Sequence, residues 1–455
     1  MLPVLLVVSF AAYARVLDLS FFSDDFSVLY RLVGTTAHGP GSFFRPLSEW
    51  SLIANHRLTG ASPLGFRVVN VALLGLNAWL IHLLVLRLLA EHRTRHAAGT
   101  IAALLFVLYP FHIEPQLWII ARGASLATMF ILLALLLATG PGRPWTIAMG
   151  TFTLASLGML CYESALLLPL LLLPLLLVVI ERGPRAAVLA AVAALLVNLL
   201  LRLVLTGTVA NTYGTDMLAH GLPSLIANVP KVLGRLVLPP SDKPGLLLGL
   251  FAMVIAMLIA LGFLLRKRMR QEMRTKTVVR TLLLLLFIAC AVGFVGGVST
   301  RTSESDRFLY LPSAFLCMLV GIITATLLAP RWRIVTTAVL AMLSSAALRI
   351  GQGPWHEASR TIDRIVHATP EAPPNGRLLV WNLPGEHHGA FIFRHGYREA
   401  LAFAGKEPSR VRISPEGPNA IWEFLRTETG DTLHRNDNDR WFDAGSANTT
   451  PAAQP

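Results

Sequence analysis

Two adjacent aspartates, Asp24 and Asp25 in "FFSDDFSVLY", follow directly on an apolar run that begins at Met1. Neighbouring carboxylates repel, and each is costly beside lipid. When two share a site, one gains affinity for a proton, which suits a general base. The same pair suits a cation ligand, and the residues alone leave both readings open. His112 and Glu114 in "LYPFHIEPQLWIIARG" can orient an acceptor or join the aspartates around a cation. Arg122 lies inside an apolar run, where a charge needs a partner, an anion, or a route to the interface. Arg307 and Tyr310 in "SDRFLYLPS" stand at the head of another apolar segment. A guanidinium at that depth suits a phosphate through paired donors, and an ion pair with Glu304 or Asp306 competes with that use. Glu163 interrupts a very apolar stretch and reads as a structural partner for an arginine. His387 and His388, beside Glu386, read as loop histidines rather than metal ligands.

The elements that must position these groups are membrane helices. The chain has 455 residues, 54% hydrophobic and 14% charged, with mean hydropathy +0.60. A soluble domain is nearer a quarter charged. Repeated apolar runs of about 17–25 residues predict an all-α polytopic membrane protein. About eleven spans are expected, near 2–17, 67–90, 97–111, 119–139, 146–161, 164–180, 186–206, 245–264, 281–298, 308–329 and 333–349. The loops "EHRTRH", "GPGRPW", "ERGPR", "RKRMRQEMRTKTVVR" and "PRWR" hold 14 Lys and Arg in short stretches. The positive-inside rule assigns them to the cytoplasm. Asp24 and Asp25, His112 and Glu114, Glu163, and Arg307 then fall on the opposite face. The first outer loop carries "FRPLSEWSLIANHRL", which contains Arg45 and predicts a helix lying in the interface.

The net charge of +13 does not point to nucleic acid. From Gly351 onward there are 11 basic and 13 acidic residues, so the excess sits in the membrane region. There it fixes topology and meets anionic lipid. Cys161, Cys290 and Cys317 all fall in apolar segments and imply no disulfide framework. The first helix has no basic leader or cleavage pattern and reads as retained. The expected division is 1–350 for the membrane module and 351–455 for a small soluble α/β or α+β domain with a disordered end.

The order of "FFSDDFSVLY", "FFRPLSEWSLIANHRL", "LYPFHIEPQLWIIARG", "CYES" and "RFLYLPS" resembles the GT-C glycosyltransferases, in particular the transmembrane O-mannosyltransferases that carry tetratricopeptide repeats. The likeness covers about residues 1–350. It implies a GT-C fold, a polyprenyl-phosphate sugar donor and an acceptor protein, glycan or lipid on the extracytoplasmic face. It implies Asp24 as base with Asp25 as acidic neighbour. Arg307, Arg122 and Tyr310 would meet the donor phosphate, while His112, Glu114 and Arg45 would serve the acceptor or a cation. The chain departs from that family in having Tyr162 where relatives carry lysine, and in lacking the repeats. This favours a bacterial inner-membrane enzyme of the cell envelope. No cofactor is required; a divalent cation on Asp24, Asp25, His112 and Glu114 is allowed. The rival readings are a lipid-linked oligosaccharide ligase or polymerase, a transporter, and a non-catalytic scaffold. Against transport, the ionisable groups gather at one face rather than at the midplane. Asn198 and Arg202 are the strongly polar residues well inside the seventh helix.

Overall fold

The computed structural model describes residues 1–34, 44–178, 183–208, 221–243, 273–414, 424–426, 432–434 and 439–449, with isolated positions between 245 and 256. It is mainly helical, and its residues form two compact units. One contains Met1–Leu17 and His38–Gln352; the other contains Asp18–Ala37 and Gly353–Pro455. The early part of the first outer loop, Asp18–Ala37, thus groups with the tail, and its later part with the membrane helices.

Among the described residues, helices Pro63–Leu88, Ile119–Ala138, Pro184–Thr206, Thr275–Gly296, Asp306–Leu327 and Pro330–Ala368 are long and apolar enough to cross a membrane. Leu2–Val16, Arg95–Val107 and Glu163–Leu177 are shorter apolar helices. The span expected at 245–264 lies outside the described residues. The one expected at 164–180 is not a continuous α-helix. It runs as 3-10 turns over Glu163–Leu167 and Leu173–Leu177 around a short α-helix, Leu168–Leu172. Pro169 and Pro174 each remove a backbone donor and force the break. Several other helices begin on a proline, at Pro46, Pro63, Pro144 and Pro330, where the missing N–H costs nothing.

Lipid tails are as apolar as leucine, so helix contacts rest on close packing rather than on escape from water. Helix Arg95–Val107 meets helix Tyr310–Leu327 at Ala98 and Ala102, where Gly321 lies against it, while Gly99 faces His82 of helix Pro63–Leu88. A Cβ on Gly321 would lie 2.6 Å from the Ala98 carbonyl oxygen, so the two backbones touch there. All three cysteines are buried and free.

The helix expected at 333–349 extends to Pro330–Ala368. Past Ile350 its sequence becomes amphipathic, and Trp355, Ala358, Ile362 and Ile365 form a buried stripe. These residues belong to the second unit. There Leu378–Trp381 is the centre of a three-stranded parallel sheet, flanked by Val411–Ile413 and Arg440–Asp443. Arg377 grips Asp439 with Nη2 at 2.7 Å and Nε at 3.1 Å, fixing the start of that pairing. Ala390–Phe391 forms a short hairpin with Glu386–His387. Helix Asp24–Val33 lies against helix Tyr397–Phe403, with Phe26 near both Phe393 and Phe403.

Candidate active site

In the first unit the candidate residues sit where helix ends meet. Glu114 lies in the short helix Ile113–Leu117 and is fully buried. Its Oε2 accepts from the Arg307 backbone N–H at 3.0 Å, and its Oε1 pairs with the Arg307 guanidinium. Burial raises the Glu114 pKa, and the adjacent Arg307 charge opposes that rise. The Arg307 side chain remains 22% exposed, with its guanidinium 5.1 Å from the Trp118 ring centre and 4.8 Å from that of Phe308. The preceding residue, Asp306, is gripped by buried Arg235, which also donates to the Ser299 and Leu238 carbonyls. Successive residues are therefore anchored in two directions, which fixes the backbone that carries Arg307.

Arg122 is placed quite differently. It is 1% exposed, and its guanidinium donates to Asn70 Oδ1 at 2.7 Å, Asn55 Oδ1 at 2.7 Å, Phe66 O at 2.9 Å and Ser51 O at 3.2 Å. It ties helices Pro46–Thr59 and Pro63–Leu88 to its own helix, Arg122–Ala138. The phosphate-binding role expected of it gives way to a clamp, because protein oxygens occupy its donors. Tyr310 is corrected likewise. It is fully buried, its hydroxyl accepts from Asn77 Nδ2 at 3.1 Å, and its ring centre lies 4.5 Å from that of His112.

His112 is also fully buried. Its Nε2 lies 2.7 Å from Ser313 Oγ, and that hydroxyl donates to the Tyr310 carbonyl at 2.8 Å. The histidine is therefore the donor of the pair, with its proton on Nε2. Burial pulls its pKa down to about 3, so it stays neutral. In the fold His112 is held by Ser313, and Glu114 by Arg307. Among the described residues no three His, Cys, Asp or Glu side chains gather as metal ligands.

Arg45 pairs with Glu163 through Nη2 at 2.8 Å and Nε at 3.1 Å, both side chains less than a fifth exposed. Its guanidinium carbon lies 4.3 Å from the Tyr162 ring centre. Glu163 thus does what its isolation in an apolar run implied. Gly123 lets this loop settle on the Arg122 helix, because a Cβ there would lie 2.7 Å from the Cys161 carbonyl oxygen. Arg202 donates to Asn198 at 2.9 Å and to the Met159 carbonyl at 3.4 Å, so protein partners meet this buried polar pair.

Helix Pro46–Thr59 forms as expected. Ser48, Leu52 and Asn55 face the protein, and Trp50 and Leu58 are exposed, as an interface helix requires.

The aspartates belong to the second unit. Asp25 is fully buried and its Oδ2 accepts from the Phe22 N–H at 3.1 Å, closing the turn before helix Asp24–Val33. This makes it a cap rather than a base. Asp24 is partly exposed at the first position of that helix. Ser23 holds the segment in place: its N–H donates to Ile392 O at 3.0 Å, and its Oγ accepts from the His395 N–H at 3.2 Å. Gly396, at φ +81°, fits beneath it, where a Cβ would lie 2.4 Å from Ser23 O.

Sequence reasoning did not find the acceptors of Arg122 or the Arg235–Asp306 pair. A signal for the first was present. Arg67, Asn70 and Asn77 share one stripe of an apolar helix, and all three are fully buried.

No family model matches the chain. Protein O-mannosyl-transferase Tmtc1 of Drosophila melanogaster is 32% identical over 137 residues, 30% of this chain and 15% of that protein. Protein O-mannosyl-transferase TMTC3 of Mus musculus is 30% identical over 128 residues, 27% of this chain and 13% of its own length. The chain thus spans about one seventh of these relatives. ArnT from Cupriavidus metallidurans, in a crystal structure bound to undecaprenyl phosphate, aligns over 90% of this chain and 88% of its own. Identity is 17% and the TM-score 0.37, which leaves the fold open.

Proposed function

We propose that the chain is an integral-membrane glycosyltransferase of GT-C type. It would move a sugar from a polyprenyl-phosphate donor to an acceptor hydroxyl at the extracytoplasmic face of a bacterial inner membrane. The observation that carries this reading is Arg307, a partly exposed guanidinium braced by buried Glu114 at the head of an apolar span. Such a group is preorganised for an anion at membrane-surface depth. The local likeness to named O-mannosyl-transferases supports the same reading.

In this mechanism Asp24 removes the proton of the acceptor hydroxyl as its oxygen bonds to the anomeric carbon. The bond from that carbon to the phosphate oxygen breaks, and its electron pair leaves with the lipid phosphate. Inversion follows from a single displacement. Arg307 meets the charge that grows on the phosphate, an interaction stronger in the transition state than in the ground state.

The test uses native membranes supplied with radiolabelled polyprenyl-phosphate sugars. At equal expression, Asp24→Asn should lower transfer by about a hundredfold or more, the range for a lost general base. Arg307→Lys should lower it by about tenfold, because a point charge replaces a two-pronged donor. Full activity in Asp24→Asn would remove the base assignment. Absence of label transfer by the wild-type protein from every donor would remove the transferase reading.

A further inference from the structure

A narrow cavity beside Arg307 has a composition that the proposed chemistry has not yet used. It has a volume of about 10 Å³, about the room for one water or one ligand oxygen. Arg307, Tyr162 and Ser164 line it among apolar neighbours such as Val292, Phe308 and Leu311. The Tyr162 and Ser164 side chains are almost wholly buried, and among the described residues neither hydroxyl has a partner at hydrogen-bond geometry. Burial raises the Tyr162 pKa, and the nearby Arg307 and Arg45 charges oppose that rise. Buried hydroxyls without partners are costly, and a native fold keeps few of them. Thr128, the remaining hydroxyl in the lining, already donates to Ala124 O at 2.8 Å. Among the described residues no carboxylate lines the cavity. One cation and two idle donors around a space of one oxygen describe half of an anion site.

We propose that the Tyr162 and Ser164 hydroxyls, together with Arg307, bind one phosphate oxygen of a phosphate ester. This deepens the transferase reading and rests on it for the identity of the ester as the lipid phosphate. The two hydroxyls come from one loop, Cys161–Ser164, whose neighbour Glu163 is held by Arg45. The same ion pair therefore sets the position of both donors.

The test uses the purified full chain in nanodiscs and measures binding of farnesyl phosphate, farnesol and inorganic phosphate. Tyr162→Phe and Ser164→Ala each delete one hydroxyl and little else. Each should weaken farnesyl phosphate binding by about tenfold, as expected for a hydrogen bond to a charged group. Thr128→Val should change it less than twofold. The thermal midpoint of the unliganded variants should stay level or rise, because an unpaired buried group has been removed. Binding of farnesyl phosphate and not farnesol supports the site with a lipid phosphate as its ligand; equal binding of inorganic phosphate supports it with free phosphate. Wild-type affinity in both hydroxyl variants, or an equal loss in Thr128→Val, overturns it. Sugar transfer is not read in this assay. Transfer with unchanged binding sinks the subsite alone, and weakened binding without transfer from any donor sinks the transferase reading alone.

Discussion

Arg122 and Arg307 carry the same charged group at the start of two apolar helices, yet their surroundings differ in kind. Arg122 donates to four protein oxygens and is closed off from solvent. Arg307 has one carboxylate partner behind it and a side chain still 22% exposed. The difference lies in how many acceptors the fold supplies. A saturated guanidinium is scaffold, because a ligand must displace a protein oxygen to reach it. A guanidinium braced by a buried carboxylate and still partly exposed can be reached by a ligand without displacing a closed shell of protein oxygens.

One swap separates the two regions most sharply. Arg122→Lys leaves several buried acceptors without donors, at about 1–3 kcal/mol for each unsatisfied group. A loss of at least about 3 kcal/mol is expected, read as a large fall in thermal midpoint in detergent. Arg307→Lys keeps a charge beside Glu114 and should leave the midpoint nearly unchanged. Equal midpoints for the two variants would break the distinction between clamp and brace.

A smaller effect is expected at the brace itself. Glu114→Gln removes the charge from a bond that contributes about 1.5–3 kcal/mol. Farnesyl phosphate affinity should fall as Arg307 loses its fixed orientation, while the same change leaves the Arg122 cluster untouched. Unchanged affinity would show that Arg307 needs no support from Glu114.

The smallest effect is a pH dependence. His112 is neutral in the fold, with its pKa held at about 3, against about 6.5 in the unfolded chain. Between those values the unfolded state binds more protons, so stability is full above pH 6.5 and falls as pH drops toward 3. At pH 5.5 the loss should be about 1.4 kcal/mol. His112→Asn keeps a donor for Ser313 and should flatten the midpoint profile. An unchanged profile would assign the acid sensitivity to other groups.

How much of this was legible follows from what sequence patterns encode. Apolar runs mark spans, so Asp306–Leu327 and Pro63–Leu88 fell near their expected positions. The segment 164–180 was apolar enough to mislead, because hydropathy is blind to two prolines five residues apart. Individual charges were legible as important, and their partners were not. Glu163 pointed to an arginine but not to Arg45, and Glu114 to a site rather than to Arg307. Partner choice depends on which helix ends meet, which no single segment encodes. Asp24 and Asp25 read as a matched pair in the chain, but successive helix residues point about 100° apart, and one turned inward as a cap.

The grouping of Asp18–Ala37 with Gly353–Pro455 bears on modularity. Ser23 bonds to the main chain at Ile392 and His395, and Phe26 packs on Phe393 and Phe403. The loop bearing Asp24 is thus inherited as part of a unit whose larger piece lies hundreds of residues away. The tail is no cassette that can be cut off or exchanged alone. A chimera with a foreign tail has to bring the matching loop, or the new surface will not recognise the serine and phenylalanine that stand beside Asp24.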